Sequence, residues 1–401
     1  MRLQYKAATK EGKIEQGVID ASDINEAAQY LRSKDLTPIH IIKEEDNPMA
    51  KIFPMTKKVK TNDLVLFTRQ LSSMLASGLT LMKALSILKD QMQNAAMVEV
   101  VNSLINDVEE GKTLSTSMAK YPKVFSPIYV SLIKAGEVSG LLDKVLLRLA
   151  DNLEKQQKLR GTIKGALMYP VIVVVLMGAV MGVMMIFVIP QLTSLYQNLN
   201  VPLPFTTQVV IGISNFMSSF WFIIILAIAG IIYFFRRWKK TEEGELIMDS
   251  IMLKLPIFGR LIQQTILAEF SRTLGLLVGT GTLVVDALLQ TADTANNVHY
   301  RNAIKQVSKE VEKGVSMGDA MSIYPLFPPL LIQLVKIGEQ TGKIDDSLTR
   351  ASEYYEREVD QTVKALTTAM EPFIMVVLGI GVAFLIMSVI TPIYSLISSI
   401  Q

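Results

Sequence analysis

Two short stretches carry the residue types that site chemistry would need. Lys134-Ala-Gly-Glu137-Val-Ser-Gly140 recurs 202 residues later as Lys336-Ile-Gly-Glu339-Gln-Thr-Gly342, and each is followed by an aspartate, Asp143 or Asp345. A glutamate and an aspartate so placed could hold a hard cation, which asks for several oxygen ligands. Two acids per copy are too few unless an interface adds more. The competing reading is a helix–turn–helix corner. Gly136, Gly140, Gly338 and Gly342 would then permit tight turns, and Glu137 and Glu339 would cap a helix or pair with a basic residue such as Arg69 or Arg272. The recurrence favours the corner, since two units packed alike need the same turn.

Other candidates are weaker. Gly111-Lys112-Thr113 resembles the end of a phosphate-binding loop, but the glycine that loop needs five residues earlier is Asn106. No strand precedes it, and the second copy reads Gly314-Val315-Ser316, so a helix C-cap glycine is the better account. Cysteine is absent, which excludes disulfides, thiol catalysis and Cys-ligated zinc. Two dispersed histidines, His40 and His299, exclude a His-rich metal site. A net charge of +3 leaves no footprint for nucleic acid. No catalytic residue, metal site or cofactor is expected. Glu371 stands at the start of an uncharged segment, where the first copy has Tyr169. A carboxylate there is either solvated at a membrane edge or, if it faces the bundle, functional; both readings stay open. Gly178-x-x-x-Gly182 could pack a partner helix closely, though glycine is common in membrane helices.

These residues sit in a duplicated frame. Phe67-x-Arg69-x-Leu71 matches Phe270-x-Arg272-x-Leu274, Gly78 matches Gly281, Gly111 matches Gly314, and Tyr121-Pro122 matches Tyr324-Pro325, all 203 residues apart. One residue is then lost, and the offset is 202 through Tyr169-Pro170 against Glu371-Pro372, and on to Pro190 and Pro392. A constant register with one deletion marks an internal repeat. Apolar residues make up 50%, partly because no Asp, Glu, Lys or Arg occurs over 165–235 or 372–401. A spanning helix needs ~20 apolar residues, so the first stretch holds two spans and the second one. Pro170 and Pro372 suit the first turn of a span, where proline loses no hydrogen bond. Basic residues flank the spans on one side (Lys155, Lys158, Arg160, Lys164; Arg236, Arg237, Lys239, Lys240; Arg357, Lys364), and the loop 191–214 has none. The positive-inside rule then puts both helical arrays in the cytoplasm. The unpaired middle span brings the chain back so that the second array can sit beside the first. Trp221 and Trp238 bracket that span as interface anchors.

The expected organisation is a small N-terminal α/β unit over 1–45, read as ββαβ, and a linker over 46–61. A cytoplasmic helical bundle (62–165) leads into a first span (166–190), an extracytoplasmic loop (191–214) and a second span (215–235). A juxtamembrane connector (236–266), a second cytoplasmic bundle (267–371), a third span (372–393) and an extracytoplasmic tail (394–401) complete it. The ββαβ unit has strands over Leu3–Ala8 and Lys13–Ile19, a turn at Lys10-Glu-Gly12, and a capping box at Asp23 and Glu26. Pro38 keeps its last strand off a central ladder position. The N-terminus has no apolar core, so no signal peptide is expected.

With this pattern in view, the chain resembles the type II secretion system protein F and type IV pilus assembly inner-membrane platform proteins. The resemblance covers nearly the whole chain. It rests on Phe67-x-Arg-Gln-Leu71, Lys134-x-Gly-Glu-x-x-Gly140 and Tyr169-Pro170, with their counterparts ending in Glu371-Pro372. It implies an all-α polytopic membrane protein with six-helix antiparallel cytoplasmic bundles, assembled as a homo-oligomer in the inner membrane. It implies contact with a hexameric assembly ATPase, with pilin or pseudopilin subunits, with other inner-membrane machine components and with membrane lipid. The acidic role at the third span is carried to Glu371 alone, because the first copy has Tyr169. Two other classes compete. A transporter or channel lacks a polar path through three nearly uncharged spans unless oligomers build one. A membrane enzyme lacks a nucleophile–base set.

Overall fold

The computed structural model describes residues 2–8, 14–21, 23–34, 36–43, 58–191, 194 and 205–400. The expected turn at Lys10-Glu-Gly12, most of the linker and most of the loop after the first span lie outside the described residues, as does the Trp221 side chain. Helix dominates what is described. The chain divides into two compact units, Met1–Lys58 and Val59–Gln401.

The first unit has strands β1 (Arg2–Ala8), β2 (Ile14–Asp20) and β3 (Thr37–Lys43), and helix α1 (Ile24–Ser33). The sheet order is β2-β1-β3, with both pairings antiparallel. Pro38 therefore lies on an edge strand, where its missing N–H costs no central bond, and the β1–β3 register shifts beside it. Asp23 caps α1 by accepting the Glu26 N–H at 2.7 Å. Ala7, Ala27 and Leu31 are fully enclosed.

The second unit opens with α2 (Thr61–Ala76), α3 (Leu81–Gln91), α4 (Ala95–Glu109), α5 (Leu114–Ala119), α6 (Pro127–Ser139) and α7 (Leu142–Val183). Polar caps start several of these: Thr80, Asn94, Thr113 and Ser126 each accept a first-turn N–H, and Pro127 follows its cap at N1. After α8 (Phe205–Trp238) and α9 (Glu242–Lys254) the plan repeats as α10 (Phe258–Gly279), α11 (Val284–Thr294), α12 (Val298–Glu312), α13 (Met317–Ser322), α14 (Pro329–Thr341) and α15 (Ile344–Ile400). The positive-φ glycines among the described residues fall at the pairs Gly78/Gly281, Gly111/Gly314 and Gly140/Gly342, where a left-handed residue ends a helix without a Cβ clash. Each set of six is knit at its centre by phenylalanines. Phe67 meets Phe125 at 6.1 Å between ring centroids, and Phe270 meets Phe327 at 5.8 Å. The third ring comes from different helices: Tyr129 of α6 in one set, Tyr300 of α12 in the other. One continuous apolar core runs through both sets.

Two helical runs among the described residues are long and apolar enough to cross a membrane, Leu142–Gln191 and Ile344–Phe384. Neither starts at its proline. Pro170 lies inside α7 and Pro372 inside α15, so the last helix of each set continues unbroken toward the apolar segment. This corrects the expectation of a helix start at these prolines. Proline inside a helix forfeits one backbone bond, but Pro170 is buried, so packing of its ring offsets the loss. Beyond Val183 the first run widens into a π turn, Met184–Val188. There Met185 and Ile189 pack with Ile211 of α8 and Phe384 of α15, and the Ser214 hydroxyl donates to the Met185 carbonyl. Helix α8 kinks at Phe220. A Cβ at Gly178 or Gly182 would meet no other described segment of this chain within 4 Å, whereas one at Gly381 would stand 3.2 Å from the Met177 Sδ, so α7 and α15 approach closely there.

Candidate functional site

The two corners have one geometry. Helix α6 ends at Gly140 (φ 71°) and α14 at Gly342 (φ 66°). The next N–H turns back onto the helix: Leu141 donates to the Gly136 carbonyl at 3.0 Å, and Lys343 to the Gly338 carbonyl at 2.8 Å. Gly136 and Gly338 do not break the chain; they are the last-turn residues on which the following helix rests. A Cβ at Gly136 would stand 3.2 Å from the Leu142 Cα and the Val145 side chain. A Cβ at Gly338 would stand 2.9 Å from the Ile344 Cα. Their glycines serve close packing rather than a tight turn, which corrects the expectation for these two positions.

Each corner glutamate reaches across to a neighbouring six-residue helix. Glu137 accepts the Leu114 N–H at 2.5 Å, the Ser115 N–H at 3.2 Å and the Ser115 hydroxyl at 2.5 Å. Glu339 accepts the Met317 N–H at 2.5 Å and the Gly318 N–H at 2.9 Å. Both carboxylates thus satisfy free amides at a helix start, where negative charge is also favoured. Their oxygens are engaged by donors, and among the described residues no group of acids or histidines is arranged to hold a metal. Asp345 is turned away, beside Gly279.

Arg69 and Arg272 do not meet these glutamates. Arg69 forks onto Glu154 through Nε and Nη2 at 2.6 and 2.7 Å, and Nη2 also donates to Asp151 at 2.5 Å. The hydrogen bonds it donates to Glu154, and next to Asp151, raise the guanidinium pKa above its ordinary range, and Arg69 in turn holds Glu154 below the usual carboxylate range. Arg272 donates to Glu356 at 2.7 and 3.1 Å, and Ser352 adds a hydroxyl at 3.0 Å. In each set the arginine ties the first helix to the last. The partners lie more than eighty residues from the arginine, so local spacing could not name them. One signal was available: Asp151-x-x-Glu154 recurs as Glu353-x-x-Glu356 in the repeat register.

Tyr169 is exposed near the middle of α7, beside buried Pro170. Glu371 and Pro372 are exposed on α15. These four residues are separate from the corners and from the arginines.

A seam joins the two sets, and sequence reasoning did not find it. Arg148 donates to the Gly279 carbonyl at 2.5 Å, Lys155 meets Glu353 at 3.3 Å, and Arg160 approaches Glu269 at 3.8 Å. Beside the Arg160–Glu269 contact lies a cleft of about 450 Å³, lined in part by Leu64, Tyr129, Leu149, Ile266, Phe270 and Leu276. Chemically the arrangement can brace helices and tie the two bundles together.

Comparison with known proteins follows the same division. The family described as type II secretion system (T2SS), protein F, matches residues 67–190 and again 270–392. The N-terminal domain of type II secretion system protein F matches residues 4–43. The chain is 35% identical to a type IV pilus assembly protein PilC of Thermus thermophilus over 402 residues, covering 99% of this chain and 98% of that one. It is 33% identical to the type IV pilus assembly protein TapC of Aeromonas hydrophila over 98% of this chain and 95% of the relative. It is 30% identical to a type II secretion system protein F of Aeromonas hydrophila over 94% and 98%.

Proposed function

The chain belongs to the type II secretion system protein F family, and from that membership we propose that it is the inner-membrane platform of a type IV pilus machine. In this role it couples a cytoplasmic hexameric assembly ATPase to the insertion of pilin subunits into a growing fibre. The observation that carries the reading is near-full-length similarity to proteins named for type IV pilus assembly, at 32–35% identity. The runner-up is the platform of a type II secretion pseudopilus. Relatives named for that system reach 27–30%, which is why the pilus reading comes first.

The physical picture is a braced lever. Two repeated bundles, each locked by its corner and its arginine, lie in the cytoplasm and carry three spans: the apolar ends of α7 and α15, and α8. The unbroken runs of α7 and α15 support this, because a force on a bundle reaches the membrane through a stiff helix rather than a hinge. The flanking basic residues support the orientation. Glu371 is a contact candidate for a pilin or for a second copy at the membrane edge. The chain acts here as an adaptor, with no chemistry of its own.

Loss of the gene in its host should abolish surface fibres, while the purified ATPase still turns over alone. Normal fibres in the deletion strain would end the pilus reading, and a secretion defect in their place would move the assignment to the runner-up. Flux through the purified protein in liposomes would revive a transporter. A Glu371→Gln strain with normal assembly would remove Glu371 from the contact candidates.

A further inference from the structure

We propose that α9 lies in the headgroup layer of the membrane, with an apolar stripe on the lipid, and so seats the second bundle on an anionic bilayer. The proposal rests on the reading of α8 as a span. One side of α9 is engaged by its own bundle. Asp249 accepts the Val298 N–H at 2.8 Å, and Glu245 pairs with Arg301 at 3.1 Å. The other side is apolar and uncovered: Leu246, Ile247, Ile251, Leu255, Ile257 and Phe258 are each two-fifths to half exposed. Ile247 and Ile251 lie four residues apart on one helical stripe, and Leu255 follows at the C-cap.

The exposure is enforced by the backbone at both ends. A Cβ at Gly244 would sit 2.1 Å from the Trp238 carbonyl oxygen, and one at Gly259 would sit 2.1 Å from that of Leu253. Both corners are therefore tight enough to require glycine. Between them Ile257 holds φ 66°, a conformation a β-branched residue rarely takes. Such strain persists only where the surroundings over-determine it. Here it presents Leu255, Ile257 and Phe258 together on the outside.

Two independent measures set the depth. The uncharged segment ends at Phe235 and α8 ends at Trp238, three residues before α9 is capped by Thr241. At ~1.5 Å per residue, α9 starts within about 10 Å of the hydrocarbon edge. The second measure is the antiparallel packing of α10 on α15. Gly279 meets Asp345 and Thr362 donates to Gln264, a register that brings Phe258 level with about residues 366–368, roughly 6–9 Å of helix from Pro372. Both estimates place α9 at the level of the polar headgroup layer, where interfacial amphipathic helices lie. Charge agrees with an anionic surface. Arg236, Arg237, Lys239 and Lys240 precede the stripe, and Lys254 and Arg260 flank its far end, all exposed. Of the acids in the first turn of α9, Glu245 pairs with Arg301, and Arg260 pairs with Glu358; Glu242 and Glu243 then face Arg236, Arg237, Lys239, Lys240 and Lys254 and are outnumbered.

The chain has no cysteine, so single cysteines can be placed without background. The full chain, labelled with bimane at Ile251→Cys, is put in nanodiscs of phosphatidylcholine and phosphatidylglycerol with or without brominated acyl chains. Leu255→Cys repeats the reading if the first variant folds poorly. Ile231→Cys on α8 is the span control and Gln306→Cys on α12 the bundle control. The expected result is at least about twofold quenching at 251, 255 and 231 and none at 306. Quenching at 231 without quenching at 251 and 255 overturns the inference and leaves the span intact. No quenching at 231 overturns the span reading, and the inference with it. Disulfide trapping between copies through position 251, without quenching, also overturns it, because a second copy would then cover the stripe.

Discussion

Arg69 and Arg272 stand at equivalent positions and close the same gap between the first and last helices of their bundles, yet they do it differently. Arg69 makes three short bonds with two acids while 29% of its side chain remains exposed. Arg272 is only 8% exposed and engages one acid, Glu356. The second acid of the repeat, Asp151 in the first bundle, is Glu353 in the second, and Glu353 points across the seam to Lys155. The first bundle spends both acids on itself. The second spends one on its partner, and its buried arginine leans on what remains. The same fold thus holds one bundle closed by a solvated network and the other by a buried arginine on a partly exposed acid.

Burial, not bond count, should decide what each arginine contributes. Breaking a buried pair leaves a charge uncompensated and costs ~3–5 kcal/mol, whereas an exposed pair is worth ~0–1 kcal/mol. Arg272→Ala should therefore destabilise by about 3 kcal/mol and Arg69→Ala by about 1 kcal/mol, despite the richer contacts of Arg69. Denaturant unfolding of the detergent-solubilised chain reads both. Equal losses, or a larger loss at Arg69, would break the comparison.

The corners differ next. A Cβ at Gly338 meets backbone at 2.9 Å, which cannot rotate away, while one at Gly136 meets atoms at 3.2 Å. Overpacking typically costs ~1–3 kcal/mol. Gly338→Ala should fall near the top of that range and Gly136→Ala near the bottom, with a lower melting temperature in both. A stabilised Gly136→Ala chain would mean that α7 can retreat, and that its glycine is not needed for packing.

What could be read from sequence follows from how local each cause is. Gly78, Gly111 and Gly140 mark helix ends because the left-handed conformation leaves its mark on a single residue. Gly136 has the same letter, but its reason lies in Leu142 and Val145 on the next helix, so residue type alone assigned it to the wrong job. Glu137 suggested a cap, and the helix it caps starts more than twenty residues away. Only the folded chain could say which. Pro170 misled for a related reason: the N1 preference presumes a break before the proline, and burial of its ring allows a continuous helix instead. The stripe of α9 falls outside the repeat, so no second copy marks it.

The bundles should also part under acid. Asp107 of the first bundle is buried and accepts from Lys112 at 2.8 Å and Lys120 at 2.6 Å. These hydrogen bonds, Lys112 first, lower its pKa to about 2. The folded value lies below the unfolded one, near 4. Its contribution to stability is therefore complete above about pH 4 and is lost as pH falls toward 2. The second bundle has Val315 and Ile323 where the lysines stand, so it has no equivalent cluster. Hydrogen-exchange protection across α4 and α5, referred to the intrinsic exchange rate at each pH, should fall from about pH 4 to 2, and Asp107→Asn should flatten that limb. An unchanged profile in the variant would exclude Asp107 as its source.

The smallest effect probes the seam itself. Lys155 and Glu353 are both more than two-fifths exposed and 3.3 Å apart, so the pair adds ~0–1 kcal/mol to stability. Stability is the wrong place to look for its role. If the seam lets one bundle shift on the other, the pair sets how often that happens, and a few tenths of a kcal/mol is enough to change a population. Reversing both charges, Lys155→Glu with Glu353→Lys, should restore what either change alone disturbs, because the attraction is symmetric. The reading should be the distance distribution between spin labels on Cys introduced at Asn302 and Lys83, one per bundle, with melting recorded alongside. Either single reversal should broaden the distribution while melting stays nearly fixed, and the double reversal should narrow it again. A distribution that ignores all three variants would assign the seam to the cleft's apolar lining and leave Glu353 as an acid merely displaced from its own arginine.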